Sequence, residues 1–136
     1  MSGKIFLNDS DIGYENGSYP TDEELETVVA LTLRKGRQHI TFLRPNTEQF
    51  AKTPDILWNK LKWEIKRPHG RGKYTLQHAF KAAVLQSENV IFDLRDLKKI
   101  PPENAVRKLE KEFNVSRKAR RMIILTKSHK QLDFKK

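Results

Sequence analysis

The sequence predicts an α/β fold of three layers, a mixed central sheet with helices on both faces. Two unbroken apolar runs, Val90-Ile91-Phe92 and Met122 to Leu125, have the pattern of strands covered on both sides. Three helix-spaced segments are interleaved with strand-like ones, and a hairpin-like stretch stands between the first two helices. The resulting order is α-β-β-β-α-β-α-β, which calls for crossover connections and a partly parallel sheet.

The first helix opens on a capping box, Thr21-Asp22-Glu23-Glu24, in which Thr21 caps and Glu24 reaches back to its amide. Leu25, Val28, Val29, Thr32 and Leu33 follow at helical spacing as one buried stripe, and Gly36 stops the helix. His39 to Leu43 alternates weakly before Pro45 and reads as a strand. Asn46 to Thr53 is a loop, and a hairpin covers 54–58 and 61–66 around an Asn59-Lys60 turn. Pro68 to Lys73 is a basic loop broken by glycines.

Thr75 caps a second helix with Leu76, Ala79, Phe80, Ala83 and Val84 inside. After the Asn89–Leu94 strand, Pro101-Pro102 opens a third helix that buries Val106, Leu109 and Phe113. Met122 to Leu125 is the next strand, and Leu132-Asp133-Phe134 a short edge. Residues 1–20, rich in Asp, Asn, Gly and Ser, read as a lead-in or linker able to stay disordered. Residues 21–136 then form a single domain, long enough for a real core.

Composition narrows the function classes. The chain is 37% apolar, and no run approaches the ~20 apolar residues that cross a bilayer. The start, Met1-Ser2-Gly3-Lys4, has no apolar signal segment behind it, so a soluble chain with no membrane role is expected. Without cysteine there is no disulfide, thiolate ligand or thiol nucleophile. Net charge is +10, yet residues 1–33 hold seven carboxylates against one lysine, so the remainder carries +16. A body of that charge favours a polyanion, most simply nucleic acid, because each neutralised phosphate releases a counterion. A solubilising surface is the other reading of the same balance.

The chemistry concentrates in the hairpin. Strand side chains alternate, so Glu64 and Lys66 share a face while Leu61, Trp63 and Ile65 face a core. With Asn59-Lys60 as the turn, Trp58 faces Leu61 and Asp55 falls opposite Glu64. Directly opposed residues have Cβ atoms about 5 Å apart, and like charges there destabilise a sheet. A pair of opposed carboxylates asks for a cation between them. Both tryptophans point away from the Asp55 face in this register, so they read as core rather than as base-stacking platforms.

Pro54-Asp55 followed by Glu64-Ile65-Lys66 resembles the PD-(D/E)xK nuclease motif, complete and on a hairpin between a helix and a helix-strand pair. That resemblance implies a restriction-endonuclease-like fold and hydrolysis of phosphodiester bonds. It makes Asp55 and Glu64 ligands of a divalent metal, Mg²⁺ first with Mn²⁺ or Zn²⁺ as alternatives, and the Ile65 carbonyl a third ligand. Lys66 would activate the attacking water or stabilise the transition state. A hard cation on carboxylate oxygens suits that chemistry, and a lysine beside the developing charge adds to it. Many members also use an acid of the first helix. On a wheel with Leu25 at 0°, Glu26 falls near 100°, beside Leu33 at the edge of the predicted stripe, and is the candidate, binding metal directly or through water.

The wider layout is similar to the C-terminal nuclease domains of contact-dependent growth inhibition (CdiA-type) proteins. The similarity runs over about residues 23–127: Glu-x-x-Val-Ala, a glycine, a strand, Thr-Pro-Asp-Ile, Trp-Glu-Ile-Lys, a helix ending at Gln86, then Asn-Val-Ile-Phe-Asp-Leu-Arg. It implies a tRNA-cleaving toxin domain that acts in the cytoplasm of a target bacterium, and a separate immunity protein with an acidic face. It also sets Gln86 near the site, where the plainer reading is a helix C-terminal residue bonded to a loop. Asp93 either reaches the cleft or pairs with Arg95, and the pairing is preferred.

Lys60, Lys62, Arg67, His69, Arg71 and Lys73 cluster around the motif, and Gly70 and Gly72 would let a backbone approach closely, as a phosphate chain requires. His69 is a candidate proton donor to the leaving oxygen. Arg117, Lys118, Arg120 and Arg121 form a second run, either a solvated face or a further contact. A metal-dependent tRNA nuclease is therefore expected. The alternatives are a DNA endonuclease of restriction or repair type and a non-catalytic nucleic-acid-binding module. A flavodoxin-like small-molecule enzyme is disfavoured because no glycine-rich phosphate loop follows a strand.

Overall fold

The computed structural model describes residues 3–48 and 51–136. The middle of the predicted 46–53 loop and the first two residues of the predicted lead-in lie outside the described residues. Among the described residues, eight strands and three helices make up a mixed α/β fold. The chain divides into two compact units, residues 1–63 and 64–136.

The first unit begins where a linker was expected. Strands β1 (Gly3–Leu7) and β2 (Ser10–Tyr14) form an antiparallel hairpin, and β2 pairs in parallel with β3 (His39–Phe42). Its turn is Asn8-Asp9, both at positive φ (53° and 62°), the type I′ geometry that suits strand twist. Residues 3–14 are thus sheet, anchored by the fully buried Ile12 and by the Gln38 amide donating to Ser10 Oγ at 2.8 Å. The linker-like composition arises because the turn and the outer strand face water.

Helix α1 (Asp22–Leu31) carries the full capping box: Glu24 N–H donates to Thr21 Oγ1 at 3.1 Å, and Thr21 N–H to Glu24 Oε1 at 3.0 Å. Its buried face is Thr27, Val28, Leu31 and the following Thr32, whereas Leu33 is exposed. The predicted stripe is displaced because the helix ends at Leu31, so Leu33 lies past its last turn. β3 pairs antiparallel with β4 (Ile56–Trp58), which pairs antiparallel with β5 (Leu61–Lys66). Trp58 and Trp63 are core residues, with rings 5.3 Å apart and Trp63 Nε1 donating to the Trp58 carbonyl at 3.0 Å.

In the second unit the latter half of β5 pairs in parallel with β6 (Asn89–Asp93), β6 in parallel with β7 (Arg121–Leu125), and β7 antiparallel with β8 (Gln131–Lys135). Every residue of β6 is buried, as its unbroken apolar run predicts. Helices α2 (Thr75–Gln86) and α3 (Pro102–Val115) supply Leu76, Phe80, Leu109 and Phe113 to one core with Val90, Phe92, Met122 and Ile124. Both helices therefore cover the same face of this part of the sheet. Thr75 is the first helical residue of α2 rather than its cap; its Oγ1 accepts from the Gly72 amide at 3.1 Å.

Candidate functional site

The β4–β5 turn decides what the motif can do. Asn59 and Lys60 sit at φ 55° and 65°, a two-residue type I′ turn. The rungs are Trp58 with Leu61, Leu57 with Lys62 and Ile56 with Trp63, the register expected from the sequence. Asp55 precedes Ile56, and its backbone is held on both sides. Its N–H donates to the Trp63 carbonyl and its carbonyl accepts from Leu43 N–H, both at 2.9 Å. The residue is half-buried.

In the second unit, Glu64 pairs in register with Val90 and Lys66 with Phe92. The strand alternation puts both side chains on the face that α2 covers. Glu64 is only 6% exposed, and Lys66 Nζ lies 3.4 Å from its Oε2. Ile65, on the opposite face, is buried as well, so β5 is covered on both sides at this point. A buried carboxylate with an ammonium beside it offers the hard oxygen donor that a divalent cation such as Mg²⁺ takes, and the donor chemistry of this strand fits such an ion.

The remaining candidates fall in different surroundings. Glu26 is exposed, opposite the Thr27–Val28–Leu31 face, which corrects its expected place at the edge of the buried stripe. Lys62 is exposed on β5, and Arg71 and Lys73 are exposed in the loop before α2. Lys73 Nζ lies 5.6 Å from the Tyr74 ring, and Lys108 Nζ, 5.8 Å from the same ring, donates to the Lys73 carbonyl at 2.8 Å. Gln86 closes α2 and is half-buried.

Arg67 is not a loose phosphate-seeking cation. Its Nε donates to Asp96 Oδ2 at 2.7 Å, and its Nη1 lies 3.8 Å from Asp93 Oδ2. Asp93 is fully buried and gripped at two points by Arg95, with Nε to Oδ1 at 2.9 Å and Nη2 to Oδ2 at 2.6 Å. The pairing reading of Asp93 is the one the geometry displays. His69 Nε2 stands 3.7 Å from Asp96 Oδ2. Asp96 thus joins Arg67 to His69, a link no local sequence pattern signals. Gly70 also has a different reason from the one expected: a Cβ there would meet Thr75 Oγ1 at 2.6 Å, so the glycine makes room for the start of α2.

The family model of the contact-dependent growth inhibition CdiA C-terminal domain matches residues 52–131, more than half of the chain. The chain belongs to the CdiA C-terminal domain family. The CdiA match takes in Asp55, Glu64, Lys66 and the basic loop, and leaves Glu26 and the β1–β2 hairpin outside. A solved CdiA-CT/CdiI toxin and immunity complex from Burkholderia pseudomallei is similar in fold, with a TM-score of 0.64 and 14% identity, covering 93% of this chain and 99% of that one. At that identity the likeness speaks for the fold. No curated protein matches the chain.

Proposed function

We propose that this CdiA C-terminal domain is a metal-dependent nuclease toxin that cuts phosphodiester bonds, with tRNA as its substrate, on a restriction-endonuclease-like three-layer scaffold. The observation that carries the reading is the buried Glu64 carboxylate with Lys66 Nζ at 3.4 Å, one strand position beyond the I′-turn ladder that begins after Asp55. Asp55, Glu64 and the Ile65 carbonyl are the proposed holders of the divalent ion, and Glu26, exposed on α1, is given an outer role through water. Bound there, Mg²⁺ supplies charge neutralisation at the phosphate and a more acidic water. Lys66 stabilises the negative charge that develops on the phosphoryl oxygens and orients the attacking water. Lys62, Arg71 and Lys73 hold the substrate backbone. Arg67, tied to Asp96 and Asp93, shapes the loop that carries them, with His69 as proton donor to the leaving oxygen and Gln86 as a further substrate contact.

Family membership supports a toxin delivered into the cytoplasm of a target bacterium, and the complex named for the structural relative supports a dedicated immunity protein as partner. Among the described residues no helix is long and apolar enough to cross a membrane. The test is incubation of the purified chain with mixed tRNA and with duplex DNA, in Mg²⁺, Mn²⁺, Zn²⁺ or EDTA. Metal-dependent tRNA cleavage is expected. Cleavage of DNA alone would reassign the substrate, and no cleavage of either under any metal would overturn the enzyme.

A further inference from the structure

Two basic segments far apart in the sequence meet in the second unit. Arg117, Lys118, Arg120 and Arg121 lead into β7, and Lys135 and Lys136 close β8. The antiparallel register puts Arg121 directly opposite Lys135, and the Lys136 amide donates to the Arg120 carbonyl at 3.0 Å. Five of the six side chains are exposed and Arg121 is half-buried. Among the described residues, none of the six lies within ion-pairing distance of a side-chain carboxylate.

Two cations opposed across an antiparallel rung destabilise a sheet unless an anion sits between or above them. Among the described residues no side-chain carboxylate stands within ion-pairing distance of Arg121 or Lys135, which leaves this rung open to an anion from outside. The patch itself is charged rather than apolar, and Val115, which closes α3, is the exposed apolar side chain nearest to it in sequence. Phe113 is buried, with the Phe134 ring 6.2 Å from it, and Lys136 Nζ lies over Phe113 at 5.0 Å. Neither phenylalanine is exposed, whereas protein interfaces centre on buried aromatic or apolar anchors. Three guanidinium forks and three ammonium groups, of which Lys136 Nζ also donates to the Ser116 carbonyl, match a chain of phosphates, which arginine binds in bidentate fashion.

We infer that Arg117–Arg121 and Lys135-Lys136 form a phosphate-backbone docking surface for nucleic acid, separate in sequence from the basic loop after β5. The inference rests on the nuclease reading only for the identity of the polyanion as tRNA. It is tested on the full chain in EDTA, where binding is measured without cleavage. Fluorescence anisotropy with labelled tRNA compares the wild type with a variant carrying Arg117→Gln, Lys118→Gln, Arg120→Gln and Lys136→Gln across a salt series. At least tenfold weaker binding is expected, and a slope of log Kd against log salt smaller by about 3, since each lost phosphate contact removes ~0.7–0.9.

A second variant, Arg117→Lys with Arg120→Lys, keeps the charges and should keep the wild-type slope, which separates lost charge from lost fold. An unchanged slope in the fourfold variant overturns the inference. So does a variant that keeps tRNA binding while losing poly-L-glutamate binding, which would assign the patch to an acidic protein. Absence of cleavage by the wild type would sink the nuclease reading and leave this result standing.

Discussion

Glu64 Oε2 lies 3.4 Å from Lys66 Nζ, two residues along one strand and on one face of it. The lysine is partly exposed, while the carboxylate is almost wholly withdrawn from water. A buried carboxylate of this kind is held for a charge partner, and Lys66 is the one the strand itself provides.

Lys66→Ala is expected to lower tRNA cleavage about 10²–10³-fold, the usual loss when a preorganised charge stabiliser is removed. Glu64→Gln should lower it at least as much, whereas Glu26→Gln, exposed on α1, should cost under about tenfold because an outer position contributes less than a direct ligand. Single-turnover kinetics at saturating Mg²⁺ measures all three. Equal losses for Glu26→Gln and Glu64→Gln would move Glu26 into direct contact.

Arg95→Met is expected to destabilise the fold by about 3 kcal/mol, because removing a charged partner leaves a buried carboxylate less well compensated. Asp93 is fully buried and held by the Arg95 side chain at 2.6 and 2.9 Å, and Arg67 Nη1 lies 3.8 Å from Asp93 Oδ2. Chemical denaturation reads the effect. A change below 1 kcal/mol would mean that Arg67 re-forms the pair.

Asn59→Val should cost about 1–2 kcal/mol, since a β-branched residue is strained at positive φ. Asn59→Gly should be near neutral there. Thermal melts of the two variants check the turn, and indistinguishable melting temperatures would deny the I′ geometry.

Thr21→Ala removes the side-chain half of the α1 capping box and should cost about 1 kcal/mol. Thr21→Ser keeps the hydroxyl and should recover most of it. A melting shift shared by both would place the loss in packing.

Much of the geometry of the candidate site's hairpin was legible because its signals are local. Turn chemistry at Asn59-Lys60 sets the β4–β5 register within a few residues, and period-two alternation then groups Glu64 with Lys66. The capping box and the buried β6 strand are likewise written in neighbouring residues. Glu26 shows the limit of the same reasoning. Leu33, counted into the stripe though it lies past the helix end at Leu31, draws the wheel toward Glu26 and turns an exposed side chain into an edge residue.

By itself, then, the sequence determined the order of elements from Thr21 onward, the hairpin register and the acid-lysine set upon it. Only the tertiary structure decided that Glu64 is buried beneath α2's side of the sheet, that Arg67 is bound to Asp96, and that residues 3–14 are strands. It alone set Arg121 across from Lys135. The reason is range. Turns, caps and alternation depend on dihedral preferences over a handful of residues, whereas burial and ion pairing depend on partners such as Arg67 and Asp96, brought together only when strands pair across the sheet.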